Sequence, residues 1–370
     1  MKKVLFSAAV DSHILNFHLP YLKWFKEQGY EVHVASNGDS EMPYVDVKYN
    51  IPFERSPFKL ANFKAYKELK KIIKKNKYKL IHCHTPMGGA LTRLAAIKAR
   101  KLDTKVLYTA HGFHFYKGAP IVNWLLYYPV EKWLSKYTDC LITINKEDYQ
   151  KVINNFKAKS IKLVNGVGID LNKFLPQTIE MKNELRKKYN FNETDFIVLF
   201  AGELSYRKHQ DLLIDAFYLV NKKIPNVKLL LAGDGNLYQQ YREQVSRLQL
   251  QETVKFLGYR NDIDKLLTIS DLSVSSSRQE GLPINVIEAM ATGLPLVVKD
   301  CRGHRDLVIN GENGFVIKGA SNEEGFSDSI ERLYDSKELR SKFSDKNIEM
   351  VRKYSIENVM KEMESIYLEF

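Results

Sequence analysis

Short apolar runs alternate with helix-patterned segments along nearly the whole chain, and the alternation starts twice. KKVLFSAAV, EVHVAS, KLIHCHT, KVLYTAHG, DCLITIN and IKLVNG read as strands in the first half, with helical patterns such as PYLKWFKEQGY (closed by Gly29) and the basic stretch Ala61–Asn76 between them. After a polar stretch near Gln177–Thr194 the pattern resumes with DFIVLFAG, VKLLLAGDG, VKFLGY, DLSVSSS and PLVVKD, again separated by helical patterns such as HQDLLIDAFYLV. Strands that alternate with helices of 10–15 residues cannot be joined as hairpins. They form βαβ units around a parallel sheet. The chain is therefore expected to hold two doubly wound α/β domains. In such folds ligands sit at the carboxyl ends of the strands, and two such domains can face each other across a cleft.

A length of 370 residues agrees with two domains. With 44% hydrophobic and 27% charged residues, disorder is excluded as the main state. The three cysteines, Cys83, Cys140 and Cys301, are widely separated, which argues against a disulfide scaffold or a cysteine zinc site. No apolar run reaches the ~18 residues needed to span a bilayer, and the opening VLFSAAVDSH is too short for a leader. A soluble or peripheral protein is expected. Charge is unevenly placed. Residues 1–175 carry 29 Lys and Arg against 14 Asp and Glu, net +15, whereas the remainder carries 27 against 30, net −3. The basic half implies an anionic partner such as membrane lipid, nucleic acid or a phosphorylated substrate, with an ordinary solvated lysine face as the alternative.

The segment SSSRQEGLPINVIEAMATGLPLVV carries the most chemistry. A strand leads into a turn, and a helix should start near Pro283, which suits the first turn because it needs no amide donor. A helix start offers free N–H groups and a positive dipole end to an anion. Gly281 permits close backbone approach. Glu280 lies at the strand end and Glu288 one to two turns into the helix, both acceptors for sugar hydroxyls. Two glutamates alone would read as ordinary charges. In this context, however, EGLPINVIEAMATGLPLVV resembles the E-x7-E signature of the retaining glycosyltransferases of family four, which have the GT-B fold of two Rossmann-like domains. The likeness covers almost the whole chain. Segments such as IHCHTPMGG, KVLYTAHGFHFYKGAP and CRGHRDLVINGENGF look like the EpsD-type exopolysaccharide and capsule enzymes of Gram-positive bacteria.

The resemblance implies roles residue by residue. In FAGELSYRKHQ, Gly202 and Lys208 match the family's diphosphate-binding positions. The usual Arg after the glycine is replaced by Glu203, and Arg207 is the natural substitute, with its planar fork. Glu288 would hold the ribose, and Glu280 the donor-sugar hydroxyls. Leu282 and Ile284 would contribute the helix start. His111, at the end of KVLYTAHG, would contact the donor sugar, with His114 a weaker candidate. Gly233, Asp234 and Gly235 match a turn of the second domain, and Gly258 with Tyr259 a strand end that holds the nucleobase. The family's Gly-Gly pair after the first strand is absent, and Asp11, His13 and Asn16 are left to face the acceptor.

His82 and His84 share a strand face, but no carboxylate or cysteine completes a set, so no metal and no cofactor are expected. Residues 1–168 would form the acceptor domain, with 353–370 packing back on it, and 169–352 the nucleotide-sugar domain. Hinges are expected near 165–173 and 352–355. The implied activity is transfer of a hexose or N-acetylhexosamine from a UDP-sugar to a polyprenyl-diphosphate-linked acceptor. It would take place at the inner face of the cytoplasmic membrane, with no nucleic-acid partner and an oligomeric state left open. Eight lysines in 61–79 and the aromatics Trp124, Tyr127, Tyr128 and Trp133 would suit a membrane interface, or else these aromatics are core. Alternatives are a UDP-sugar 2-epimerase of the same fold and a non-catalytic basic binding protein, the latter without any visible recognition module.

Overall fold

KVLFSAAV becomes the centre of a sheet because a strand buried on both faces must be apolar throughout, not alternately. In the computed structural model, which describes residues 1–370, Val4, Leu5, Phe6 and Ala8 have no solvent exposure. The chain divides into two units, residues 1–168 with 357–370, and residues 169–356.

The first unit holds seven strands: β1 (Lys3–Val10), β2 (Glu31–Asn37), β3 (Val47–Asn50), β4 (Leu80–His84), β5 (Lys105–Ala110), β6 (Cys140–Thr143) and β7 (Ser160–Leu163). Their order is β3-β2-β1-β4-β5-β6-β7, and every pairing is parallel. The second holds β8 (Phe196–Ala201), β9 (Val227–Ala232), β10 (Val254–Gly258), β11 (Leu272–Ser275), β12 (Leu296–Lys299) and β13 (Gly314–Ile317), in the order β10-β9-β8-β11-β12-β13, again all parallel. In each sheet the winding direction reverses beside the first strand. The two switch points therefore lie at the carboxyl ends of β1 and β4, and of β8 and β11.

The last helix, Ile356–Leu368, buries Val359, Met363, Ile366 and Tyr367 in the first unit's core, against Phe25 and Trp24 among others. Glu362 accepts from Asn165 N and Nδ2 at 3.0 and 2.6 Å, and Tyr367 OH meets His82 Nδ1 at 2.8 Å. Each buried apolar side chain of this kind contributes about 1.5–3 kcal/mol. The return to the first unit comes at Glu357, four residues later than the sequence pattern places it, because Ile169 and Ser355 still bridge within the second unit.

Three elements escape the sequence pattern. The polar stretch between the two patterns holds the helix Ile179–Lys188, capped by Thr178 Oγ1 accepting from Met181 N at 3.2 Å. Val47–Asn50 is a half-exposed edge strand of four residues, too short to show a period. Asp11–Phe17 forms a helix of two turns where only an irregular turn is expected.

Candidate active site

Residues 203–209 follow β8 and residues 276–283 follow β11, so both segments sit at the second unit's switch point. Backbone ties hold them together. Arg278 N donates to Arg207 O at 2.9 Å, and Ser276 Oγ donates to Lys208 O at 2.9 Å. This places both cations on Glu280. Lys208 Nζ lies 2.7 Å from Glu280 Oε1, and Arg207 Nη1 lies 3.1 Å from Oε2. Lys208 and Glu280 are buried, whereas the Arg207 side chain is 45% exposed. Burial alone would raise the Glu280 carboxyl, but Lys208 and then Arg207 outweigh it and hold it at about 2. The cluster carries one net positive charge at neutral pH. The exposed side chain of Glu203 takes no part in it.

The helix Ile284–Ala291 starts directly after Pro283, which caps it from an extended conformation instead of filling its first turn. Its first hydrogen bond runs from Ile287 N to Pro283 O, so the N–H groups of Ile284, Asn285 and Val286 precede the ladder. Asn285 Nδ2 donates to Ala201 O at 2.8 Å and ties the helix start to the end of β8. Glu288 follows on the next turn with no hydrogen-bond partner for its carboxyl. Burial pushes that carboxyl up to about 7, with Lys173 opposing and Asp264 adding to the rise. The two glutamates of the motif are therefore in opposite states, one locked as an anion and one poised to titrate.

Sequence reasoning missed three supports here. Asn285 and Ser276 act through backbone contacts distant in sequence. Arg302 Nε donates to Glu280 O at 2.9 Å, and a Cβ at Gly303 would stand 2.5 Å from Gly281 O, so only glycine lets this segment close on the turn. The CRGHRD string was visible, but nothing local says what it touches.

Other donor-side candidates are distributed differently. A Cβ at Gly233 would stand 2.2 Å from Gly202 O, and one at Gly235 2.1 Å from Leu204 O. These glycines are required by chain packing within the unit. Gly258 bridges Gly233, and Asp234 Oδ2 accepts from Tyr259 N at 3.0 Å, leaving the Tyr259 ring 74% exposed. Leu282 is buried beside the turn, and Ile284 is half-buried as the first helical residue.

In the first unit, His111 follows β5, His84 ends β4, and His13 and His18 belong to the segment after β1. The fold draws them together. His111 Nε2 lies 3.2 Å from His13 Nε2 and 3.3 Å from His84 Nδ1, and the His18 ring stacks on His84 at 3.8 Å. Burial pushes His13 down to about 4 and holds His18, His84 and His111 well below the usual range, where neighbouring imidazoles add to the effect. All four are neutral at pH 7. No carboxylate or cysteine joins His84, but three histidines from other elements do. His82 does remain structural, paired with Tyr367 OH and Thr109 Oγ1.

Asp11 turns inward, taking Ser36 Oγ at 2.6 Å, Ser40 N at 2.9 Å and Lys48 at 3.0 Å. Asn16 is exposed on its helix. His114 stacks on Tyr127 and lines a cavity of about 550 Å³ with His13, Arg55, Phe58, Leu126 and Val130. The glycine pair absent after β1 has a partial counterpart in Gly88, which lets the helix Pro86–Arg100 approach the backbone of Ala8 and Ala9, while Gly89 makes room for the Tyr108 ring. Thr85, just before that helix, has φ of +61°, a costly conformation for a β-branched residue.

Trp124, Tyr127 and Tyr128 pack on the core beside Phe115, whereas the helix Ile121–Ser135 exposes Ile121, Val122, Leu125, Leu126, Val130 and Trp133. The apolar surface is thus largely aliphatic. No helix of the chain is long and apolar enough to cross a membrane.

Comparison with known proteins accords with this geometry. Residues 181–350 match the model of glycosyl transferases group 1, and residues 3–145 that of glycosyl transferase 4-like proteins. The chain is 47% identical over 368 residues to the putative glycosyltransferase EpsD of Bacillus subtilis, covering 99% of this chain and 96% of that one. It is 29% identical over 316 residues to the UDP-Gal:alpha-D-GlcNAc-diphosphoundecaprenol alpha-1,3-galactosyltransferase of Escherichia coli, covering 84% and 80%. Among solved structures, Anabaena HepE in complex with UDP superposes with a TM-score of 0.80 at 20% identity, covering 100% of both chains. Two parallel-sheet units and a near-complete match to EpsD lead to one conclusion: the chain belongs to the EpsD-type glycosyltransferases of GT-B fold.

Proposed function

We propose that this glycosyltransferase moves a hexose or N-acetylhexosamine from a UDP-sugar to a polyprenyl-diphosphate-linked saccharide during exopolysaccharide or capsule synthesis, with retention at the anomeric carbon. The observation that carries the reading is the Arg207–Lys208–Glu280 cluster beside a helix start at the second unit's switch point. A diphosphate leaving group develops negative charge as the bond from C1 to its oxygen breaks. Prepositioned cations and free N–H groups at that place lower the barrier without a metal. Glu280 holds Lys208 in place and offers acceptor oxygens to sugar hydroxyls, Glu288 serves the ribose, and Arg207 stands in for the arginine absent at Glu203. The new bond forms from the acceptor oxygen to C1 on the same face, and the acceptor's proton passes to the departing phosphate. No separate protein base is then required. His111 is assigned to the donor sugar.

The named specificity of the Escherichia coli relative and the UDP and UDP-glucose complexes of HepE support a UDP-sugar donor, and the relative's name supports a lipid-diphosphate acceptor. On the first unit, the 550 Å³ cavity lined by Phe58, Leu126 and Val130 suits a prenyl chain, with Arg55, His13 and His114 near its polar end. The exposed aliphatic helix and the lysine-rich helix Ala61–Asn76 suit peripheral attachment to an anionic inner leaflet. The test is incubation with labelled UDP-hexoses and UDP-N-acetylhexosamines plus polyprenyl-diphosphate saccharides. Label entering the lipid fraction from one UDP-sugar supports the reading. Conversion of the UDP-sugar without any acceptor would indicate epimerase chemistry instead.

A further inference from the structure

The histidine cluster of the first unit has more ring nitrogens than the protein can satisfy. Both nitrogens of buried His18 and Nε2 of buried His84 have no hydrogen-bond partner. His111 Nε2 faces both His13 Nε2 and His84 Nδ1, and one nitrogen carrying one proton or one lone pair serves only one of them well. The conflict over His111 Nε2, and not the three orphaned nitrogens, is what a ligand between the rings would relieve.

We propose that His13, His84 and His111, backed by His18, form a binding site for a divalent transition metal of the zinc class. The spacing fits. Two nitrogens bound to one tetrahedral zinc lie about 3.3 Å apart, and the observed separations are 3.2 and 3.3 Å. Ligand atoms of all four histidines lie within 4.8 Å of one another. His18 and His84 stack with only 26° between their planes, so the two rings do not aim at one ion. The ligand set is therefore three histidines with an open fourth position, and His18 supports the His84 ring. An all-imidazole set without a carboxylate selects zinc, cobalt, nickel or copper over magnesium and calcium. His13 also lines the 550 Å³ cavity, which supplies an entry path. A bound ion would occupy His111 Nε2 and so compete with any role of that ring toward a sugar.

The test uses the tag-free full-length chain, stripped of metal and titrated with Co²⁺. The expected result is a visible ligand-field band that saturates at one ion per chain and is bleached by Zn²⁺. His13→Ala and His84→Gln should each weaken binding by at least about tenfold, and His114→Ala, outside the set, should bind as wild type. Circular dichroism checks folding; should His84→Gln misfold, the partly exposed His13 decides alone. Absence of a band, or a band unchanged in His13→Ala, would overturn the site. This readout is independent of sugar transfer, so failure of one reading leaves the other standing.

Discussion

The two units share one topology but stock their switch points with opposite electrostatics. At the ends of β8 and β11 the second unit places fixed charge, two cations on one buried carboxylate. At the ends of β1, β4 and β5 the first unit places four neutral imidazoles. The bulk charges run the other way, +15 in residues 1–175 and −3 in the rest. Net charge of a half therefore says little about its site. The lysines of the first half ride on exposed helix faces such as Ala61–Asn76, where they bear on attachment, whereas local burial and pairing decide the chemistry.

The comparison is broken most forcefully by removing one charge. Lys208→Ala should cut transfer by about 10²–10³-fold. It should also destabilise the second unit, by less than the ~3–5 kcal/mol of a wholly unpaired buried charge, because Arg207 still pairs with Glu280. Denaturant unfolding alongside a transfer assay reads both. In the first unit, His18→Phe deletes two orphaned ring nitrogens instead of a charge. The metal-free variant should gain about 1 kcal/mol, seen as a raised midpoint, and a loss of several kcal/mol would show that the cluster is held by interactions not described here.

Acid titration sharpens the contrast within the second unit. The Glu280 carboxyl is depressed to about 2, so its stabilisation is complete above the ordinary carboxyl value and is lost as pH falls from about 4.5 toward 2. Glu288 is raised to about 7, so its contribution is greatest at acid pH and is lost as pH rises from about 4.5 through 7. Glu288→Gln should then raise the melting temperature at pH 8 while weakening UDP binding. Equal melting temperatures for wild type and variant at pH 8 would contradict the half-buried, unpartnered setting. Gly235→Ala, which presses a methyl on Leu204 O, should cost at least about 1–3 kcal/mol, read as a lowered unfolding midpoint.

Local pattern made the sheets and the E-x7-E turn legible, because buried parallel strands are continuous apolar runs and because Pro283 and Gly281 mark a turn. The pairing of Arg207 and Lys208 with Glu280 was only half visible. Both sides could be read as ligand-binding, but their mutual contact spans more than seventy residues. The histidine cluster was invisible, since HCH shows two histidines on one strand face while His13, His18 and His111 arrive from β1 and β5. The partners of Asp11 were hidden for the same reason: an acid expected on the acceptor side takes Ser36, Ser40 and Lys48, which come from distant segments. What failed to show in the sequence is in each case a long-range contact between unlike elements.

The most direct test of the charged donor site is calorimetric titration of UDP into the wild type and into Arg207→Ala, whose side chain is partly exposed and whose loss leaves the buried Lys208–Glu280 pair in place. The account predicts saturable binding of UDP by the wild type and at least about tenfold weaker binding by the variant, the loss of one charge-assisted contact of 1.5–3 kcal/mol. Equal affinity in the two proteins would contradict the assignment of the diphosphate to this cluster.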